Sequence, residues 1–439
     1  MKMKKAALHN LGCKVNAYET EAMQEILEQS GYEIVPFHEK ADVYVINTCT
    51  VTNFGDKKSR QLIRKVKRQN PEAIVAAIGC YAQTAPKDIE KIDGVNLIIG
   101  TKGRKDIVEL VESYRPEDGV KNYVGKIAGE HEFERLSISK LADRTRAYLK
   151  IQDGCSQFCS YCIIPYARGP IRSRDPEDIM DEVKTLAENG FKEIVLTGIH
   201  VASYGRERKD VTLLDIIKRV QEQDGVERIR FSSLEPNIVT EEFASELSKM
   251  DKVCDHFHLS LQSGCDRTLE RMNRKYDTAG YTKAVETLRK YFPDVALTTD
   301  IIAGFPGETD EDFKESLEFA KKTGFSKIHA FPYSPKRGTP AAKMSGQIQN
   351  SVKNERTAEL IKESDRMGAE FIKRFEGRIM PVLYEREVEP GVYEGYTTNY
   401  IRVFSKSGEN IKNKIIDTRI ISSKEFNESK DEGAVGELV

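Results

Sequence analysis

The sequence predicts an α/β protein in three parts: an open parallel α/β domain, a central barrel-like sheet of six βα units, and a small all-β barrel. Three observations predict it. Short apolar runs alternate with helical segments twice along the chain, the mark of parallel sheets whose crossovers are helices. A charged stretch with few large apolar residues separates the two runs. Near residue 377 the pattern turns to short strands with Gly turns, as in a barrel of about five strands.

In the first part (1–115), KKAALHNL (4–11) reads as a strand, and Ala22, Met23, Ile26 and Leu27 give the next stretch helical spacing, with Gly31 as its stop. DVYVIN (42–47), AIVAAIG (73–79) and VNLIIG (95–100) are further strands, and KKSRQLIRKVKRQ (57–69) is a basic helix ended by Asn70-Pro71. Residues 116–145 read as a linker. In the second part (146–376), strands are expected at 147–154, 193–198, 228–233, 256–261, 296–305 and 327–333, each followed by a helix. RIMPVLYERE, GVYEGYTTNYIRVFS and AVGELV supply the strands of the third part (377–439).

The chain is 39% hydrophobic and 31% charged, ordinary for a globular protein. No apolar run approaches the ~18 residues that span a bilayer, and the N-terminus does not read as a signal peptide. A cytoplasmic protein with no membrane partner is expected, monomeric by default. The net charge of -2 means that any nucleic acid must be held by local basic patches. Eight cysteines in such a chain favour metal binding or catalysis over disulfides.

Six of the eight form two constellations. CSQFCSYC places Cys155, Cys159 and Cys162 at C-x-x-x-C-x-x-C spacing directly after a predicted strand. Three thiolates can bind three irons of a cubane and leave the fourth open, and an open iron can chelate the amino and carboxylate groups of S-adenosylmethionine (SAM). The bland readings are a zinc site or buried thiols, but zinc normally wants a fourth Cys or His at short spacing. Cys13, Cys49 and Cys80 each end a predicted strand, in HNLGC, VINTC and AIGC. In an open parallel sheet those ends line one ligand-binding edge. One strand-end Cys is usually just a small apolar residue; three at equivalent places suggest a shared metal site. Cys254 and Cys265 lack such a pattern and read as structural thiols.

The C-x-x-x-C-x-x-C run resembles the radical SAM superfamily. The whole chain is similar to one branch of it, the methylthiotransferases, through LGCKVN, INTCTVTN and GCYAQ in the first part. In the second part the resemblance runs through DGCSQFCSYCIIPYARGPIRSR, LTGIHVASYG, LSLQSGCDRTLERMNR and DIIAGFPGETDEDF. The resemblance implies a partial (βα)6 radical SAM barrel and a C-terminal TRAM barrel that binds RNA. It also implies two 4Fe–4S clusters, one on Cys155, Cys159 and Cys162 and an auxiliary one on Cys13, Cys49 and Cys80. Two SAM molecules serve each turnover: one methylates a sulfur at the auxiliary cluster, the other yields a 5′-deoxyadenosyl radical. SAM contacts carried over are Tyr161, Gly198, Ser260, Gln262, Ile302 and Gly304, each with strand or turn packing as the plain alternative. Arg274 could meet a carboxylate or phosphate, or be a solvated helix end.

LGCKVN looks like the branch that modifies carbon 2 of N6-threonylcarbamoyladenosine next to the tRNA anticodon. The isopentenyladenosine branch and the ribosomal-protein aspartate branch are the enzymatic alternatives. A metal-containing RNA-binding protein is the non-enzymatic one. An electron donor such as flavodoxin or ferredoxin is expected. The basic helix 57–69 and Arg168, Arg172 and Arg174 could track a phosphate backbone; a solvated helix face is the commoner fate of such runs. Residues 378–439 hold nine Lys plus Arg against eleven Asp plus Glu. RNA binding there needs Arg378, Arg386 and Arg402 gathered on one face, with Tyr396 and Tyr400 for stacking.

Overall fold

The central strands of the first sheet are apolar runs buried on both faces, as parallel sheets covered by helices require. In the computed structural model, which describes residues 3–139, 145–423 and 433–439, that sheet has six parallel strands. They are β1 (Lys5–Asn10), β2 (Glu33–Ile34), β3 (Val43–Thr48), β4 (Ile74–Gly79), β5 (Leu97–Ile99) and β6 (Lys121–Asn122), in the order β2-β1-β3-β4-β5-β6. The reversal of strand order between β2 and β3, beside β1, makes the carboxyl ends of β1 and β3 a natural ligand edge.

The stretch expected to be a linker is built into the fold where it is described. Lys121–Asn122 extends the first sheet, and Leu136 and Ile138 are buried with Tyr18 and Ala22 of the helix Lys14–Gln29. Residues 140–144 of that stretch lie outside the described residues.

The second part forms an arc of six parallel strands, β7 (Arg146–Asp153), β9 (Glu193–Gly198), β10 (Arg228–Phe231), β11 (His256–His258), β12 (Ala296–Ala303) and β13 (Lys327–Pro332), with the short β8 (Arg172–Ser173) antiparallel on the outer edge of β7. Single parallel bridges, Ile229 to Val253 and Leu234 to Leu259, join the two halves of the arc. No ladder among the described residues closes β13 onto β7, so the barrel is partial, as expected. Its helices start on side-chain caps: Thr212 with Asp215 and Thr309 with Asp312 form reciprocal capping boxes.

A 24-residue helix, Asn350–Lys373, leads into the third part. There β14 (Ile379–Glu389), β15 (Val392–Thr397), β16 (Arg402–Lys406), β17 (Ile415–Ser423) and β18 (Ala434–Leu438) close a barrel in the order β14-β15-β16-β18-β17. This barrel caps the amino-terminal end of the central arc. Arg228 donates to the carbonyls of Tyr396 and Pro381, both at 2.8 Å, and Arg230 to that of Thr398 at 3.0 Å. His256 stacks on Tyr400 with ring centroids 4.5 Å apart. No helix among the described residues is long and apolar enough to cross a membrane.

Candidate functional site

β1, β3 and β4 are neighbours in the sheet; Cys49 and Cys80 follow β3 and β4 directly, and Cys13 follows β1 after Leu11 and Gly12. Strand spacing of about 4.8 Å therefore sets the three thiols along one edge. Cys13 is the N-cap of the helix Lys14–Gln29, and Cys80 opens the short helix Cys80–Thr84. The approach is close: a Cβ added at Gly12 would lie 2.9 Å from Cys49 Sγ.

The second triad sits in the loop after β7. The backbone turns there at Gly154 (φ +73°), where a Cβ would fall 1.8 Å from the Pro170 carbonyl oxygen. Only glycine fits this position. Cys155 N–H then donates to Gly169 O at 3.0 Å, and Ile164 N–H to Cys162 Sγ at 3.4 Å. Burial pushes the thiols of Cys49 and Cys155 up to about 11 and that of Cys162 up to about 12. Free of metal they are neutral, and ligation must release their protons.

The donor sets fit clusters better than a single ion. A tetrahedral zinc with Zn–S near 2.3 Å draws its sulfurs to roughly 3.8 Å apart. Among the described residues, Cys265, Asp312 and Glu315 alone form a group of three with all ligand atoms within 4.8 Å of one another, so both cysteine triads are spread more widely. That compact group is already neutralised, because Arg267 and Arg271 pair with Asp312 at 2.7 and 3.0 Å.

Arg168 ties the two triads together. It ends the short helix Ile164–Arg168 that follows Cys162, is fully buried, and points its Nε at Cys80 Sγ, 3.4 Å away. Its other nitrogens reach Glu19 at 2.8 Å, Asp153 at 3.0 Å and Asn16 at 2.7 Å. Lys150 bridges the same two carboxylates at 2.7 Å each, and Arg104 lies 3.3 Å from Glu19. Burial alone would raise Glu19, but Arg104, Arg168 and Lys150 bring its carboxyl down to about 2. Asp153 is likewise held well below the usual carboxylate range, its desolvation outweighed by Lys150, Arg168 and Arg172. This is a buried electrostatic seam between the first domain and the barrel.

A matching arginine serves the other triad. Arg274, offered by the sequence as a carboxylate ligand or a solvated helix end, is buried. It donates to Cys159 Sγ at 3.0 Å, pairs with Glu235 at 2.8 Å and lies over the Tyr276 ring at 4.7 Å. Gln157 donates to Glu235 at 3.1 Å, and His200 Nε2 is 2.9 Å from it. Glu235, His200, Asn16 and Glu19 were not picked out from the sequence. Their signal was weak: polar residues just beyond strand ends, and two on the buried face of the helix after Cys13.

Of the expected SAM contacts, Tyr161 and Ile302 share one apolar patch with Phe305 and Tyr333. Gly198 backs onto Gln152, whose side chain a Cβ there would meet at 2.9 Å. Gln262 adopts φ +71° and its N–H donates to Asp300 O, while Ser260 N–H donates to Leu234 O, both in strand-end bridges. Gly304 faces Lys353, which a Cβ would meet at 2.4 Å. It allows the helix Asn350–Lys373 to approach closely at the residue expected to flank the adenine.

The expected RNA contacts need larger correction. Arg168, Arg172 and Arg174 are all at most 3% exposed, so none can reach a phosphate. Arg172 pairs with Asp153 at 3.5 Å, and Arg174 with Glu182. Arg386 and Arg402 do gather, but around Glu394, at 3.0 and 2.8 Å. Arg378 stands apart on Asp294. Tyr396 and Tyr400 stack on each other at 4.9 Å and on Arg146, turned toward the central barrel and away from an outer surface. Cys254 and Cys265 are buried, as expected of structural thiols.

A cleft of about 620 Å³ is walled by sequence neighbours of both triads. Thr50, Tyr81 and Ile163, each next in sequence to one of the cysteines, line it together with Tyr166 and Lys336. Phe54, Phe158 and Tyr166 are 72%, 51% and 48% exposed near those cysteines in sequence, an uncommon concentration of bare aromatics.

Cysteine-bearing strand ends facing a partial barrel with a C-x-x-x-C-x-x-C loop define a radical SAM enzyme with a second metal centre. Comparison with known proteins agrees. The radical SAM superfamily matches residues 149–320, and the uncharacterized protein family UPF0004 matches residues 5–100. Threonylcarbamoyladenosine tRNA methylthiotransferase MtaB of Bacillus subtilis is 44% identical, over 96% of this chain and 94% of that protein. The tRNA-2-methylthio-N(6)-dimethylallyladenosine synthase of Clostridium botulinum (strain Loch Maree) is 37% identical, over 85% and 84%. Among solved structures, the radical SAM methyltransferase TsrM of Kitasatospora setae aligns with a TM-score of 0.55 at 16% identity, covering 89% of this chain and 80% of that one; this likeness concerns the fold alone. The chain belongs to the radical SAM tRNA methylthiotransferase family.

Proposed function

We propose that this protein places a methylthio group on carbon 2 of N6-threonylcarbamoyladenosine in tRNA, with SAM and two 4Fe–4S clusters as cofactors. The observation that carries the reading is similarity along nearly the whole chain at 44% to a threonylcarbamoyladenosine enzyme, against 37% to a dimethylallyladenosine enzyme. When bound, the clusters and SAM supply the one-electron chemistry and the transferred group.

The chain supplies position, charge and exclusion of water. Cys155, Cys159 and Cys162 would hold one cluster and Cys13, Cys49 and Cys80 the other, with Arg274 and Arg168 each donating toward one ligand sulfur. The seam of Glu19, Asp153, Lys150 and Arg168 would fix the distance between them. The patch of Tyr161, Ile302 and Phe305 offers an apolar face for an adenine.

For the tRNA, support lies in the first domain more than in the C-terminal barrel. Helix Asn53–Gln69 buries only Ser59, Ile63 and Val66, and its Lys57, Lys58, Arg64, Lys65 and Arg68 are exposed with no carboxylate partner among the described residues. Such a face suits a phosphate backbone, and the exposed Phe54, Phe158 and Tyr166 suit unstacked loop bases. We place the enzyme in the cytoplasm, as a monomer served by an electron donor such as flavodoxin or ferredoxin.

The test is anaerobic reconstitution with SAM, a reductant, a sulfur source and tRNA carrying either threonylcarbamoyl- or isopentenyladenosine, followed by mass spectrometry of the digested nucleosides. Methylthio product from the first tRNA alone is expected. Product from the second alone would move the protein to the other branch.

A further inference from the structure

A partly open cavity of about 720 Å³, a size that takes a nucleoside-sized group, lies among the central strands, the helix Asn350–Lys373 and the C-terminal barrel. It is separate from the cleft described above, and several polar side chains break its otherwise apolar wall. Lys14, next in sequence to Cys13, enters it from the first domain; His256, His258, Thr298 and Asp300 enter from the strands; the C-terminal barrel closes it with Tyr400.

The charges on this wall are paired with one exception. Arg146 lies 3.0 Å from Glu385, Arg230 2.7 Å from Glu193, Arg402 2.8 Å from Glu394 and Lys327 3.0 Å from Asp365. Asp300 faces His258 at 3.3 Å. Lys14, solvent-accessible where it lines the cavity, has no ion-pair or hydrogen-bond partner among the described residues. Nearby, His256 is buried with its Nδ1 unpaired, its Nε2 being 3.1 Å from Thr298 Oγ1. A cation without a counter-ion and an unused ring nitrogen lining one cavity suit an anionic, hydrogen-bonding guest.

We infer that Lys14 receives the carboxylate of the threonylcarbamoyl group and that this cavity is the specificity pocket of the enzyme, an assignment that rests on the function proposed above. Carbon 2 and carbon 6, which bears N6, flank N1 on one edge of adenine. With carbon 2 held at the cysteine triads, a substituent on N6 extends alongside, and Lys14 follows directly on a residue of one triad. An isopentenyl group carries neither charge nor hydrogen-bonding atoms, and would leave Lys14 and His256 desolvated and unpaired. Sites built around a polar group reject the analogue that lacks it far more strongly than apolar sites reject an extra group.

The test compares anticodon stem–loops bearing threonylcarbamoyladenosine or the same nucleoside with its carboxylate converted to the carboxamide, which keeps size and removes charge. The holoenzyme should bind and turn over the amide about 10- to 100-fold less well, the range for a hydrogen bond to a charged group. In Lys14→Met, with iron content and electron paramagnetic resonance showing both clusters present, binding of the two RNAs should become equal, and Lys14→Arg should restore part of the preference. Wild-type enzyme that modifies the carboxylate RNA and accepts the amide equally overturns the assignment alone, a comparison that needs no variant. Lys14→Met that keeps the wild-type preference does the same. Wild-type enzyme that modifies only isopentenylated RNA overturns the functional reading, and the assignment with it.

Discussion

Replacing Arg168 by Met should cost the protein about 3 to 4 kcal/mol. The guanidinium is fully buried and serves Glu19, Asp153 and Asn16 at once. Removing one partner from a buried ion pair typically costs about 3 to 5 kcal/mol. Here Glu19 keeps Arg104 and Lys150, and Asp153 keeps Lys150 and Arg172, which puts the ionic loss near the low end. The amide oxygen of Asn16 loses its donor for about 1 kcal/mol more. The chain has no Trp, so the assay is urea unfolding followed by far-ultraviolet circular dichroism. At a slope near 3 kcal/mol per molar, the midpoint should fall by about 1 M. Arg219→Met, which breaks an exposed pair with Glu177, should stay within about 0.5 kcal/mol of wild type and serves as the control. The pH dependence follows from Glu19, whose carboxyl is depressed to about 2 from 4.5. Its contribution is complete above pH 4.5, where the unfolded carboxyl is also ionised, and is lost as pH falls toward 2, because the unfolded chain then binds the extra proton. Without Arg168 the folded carboxyl rises and the loss sets in at higher pH. A midpoint shift as small as that of the control would refute the seam as a source of stability.

Other outcomes follow from single side chains. Gly154→Ala would drive a Cβ into the Pro170 carbonyl, so the reconstituted protein should lose about four irons per chain with the auxiliary cluster retained, checked by iron and sulfide analysis. Arg274→Ala removes the donor to Cys159 Sγ; redox titration followed by electron paramagnetic resonance should show that cluster at a more negative potential, with no change in the other. Converting Lys57, Arg64 and Lys65 to Gln should weaken tRNA binding and flatten the slope of its salt dependence by about 0.7 to 0.9 for each phosphate that is no longer neutralised. Arg386→Ala should change affinity by less than about twofold, since that side chain is held in an ion pair with Glu394, which it shares with Arg402.

The strand–helix alternation made the parallel sheets and the convergence of Cys13, Cys49 and Cys80 legible, because a βα unit delivers whatever follows its strand to the same edge. β6 was not legible: it is a two-residue strand, Lys121–Asn122, too short for any periodicity. Leu136 and Ile138 were hidden because two apolar residues in a charged stretch carry no pattern until Tyr18 and Ala22 arrive to cover them. The arginines misled for a related reason. A run such as Arg168, Arg172 and Arg174 announces charge, but whether that charge reaches solvent depends on carboxylates at Glu19, Asp153 and Glu182, the first of which comes from another domain. Tyr396 and Tyr400 were read as RNA-stacking groups, yet a neighbouring barrel occupies their faces.

The C-terminal barrel closes only when β18 slots between β16 and β17, and this gives the nascent chain a schedule. Ribosomes add about 5 to 20 residues per second, so roughly ten to forty seconds separate the appearance of Arg228 and Arg230 from that of Ala434–Leu438. In that interval Glu193 can meet Arg230, but the carbonyls of Pro381, Tyr396 and Thr398 that complete the shell of both guanidiniums have not yet been set in place. The floor of the catalytic barrel is thus finished last, by a module made after it. Translation stalled or cut short within the final strands should release a protein whose central domain is open to chaperones and proteases, and not simply one that grips RNA less well.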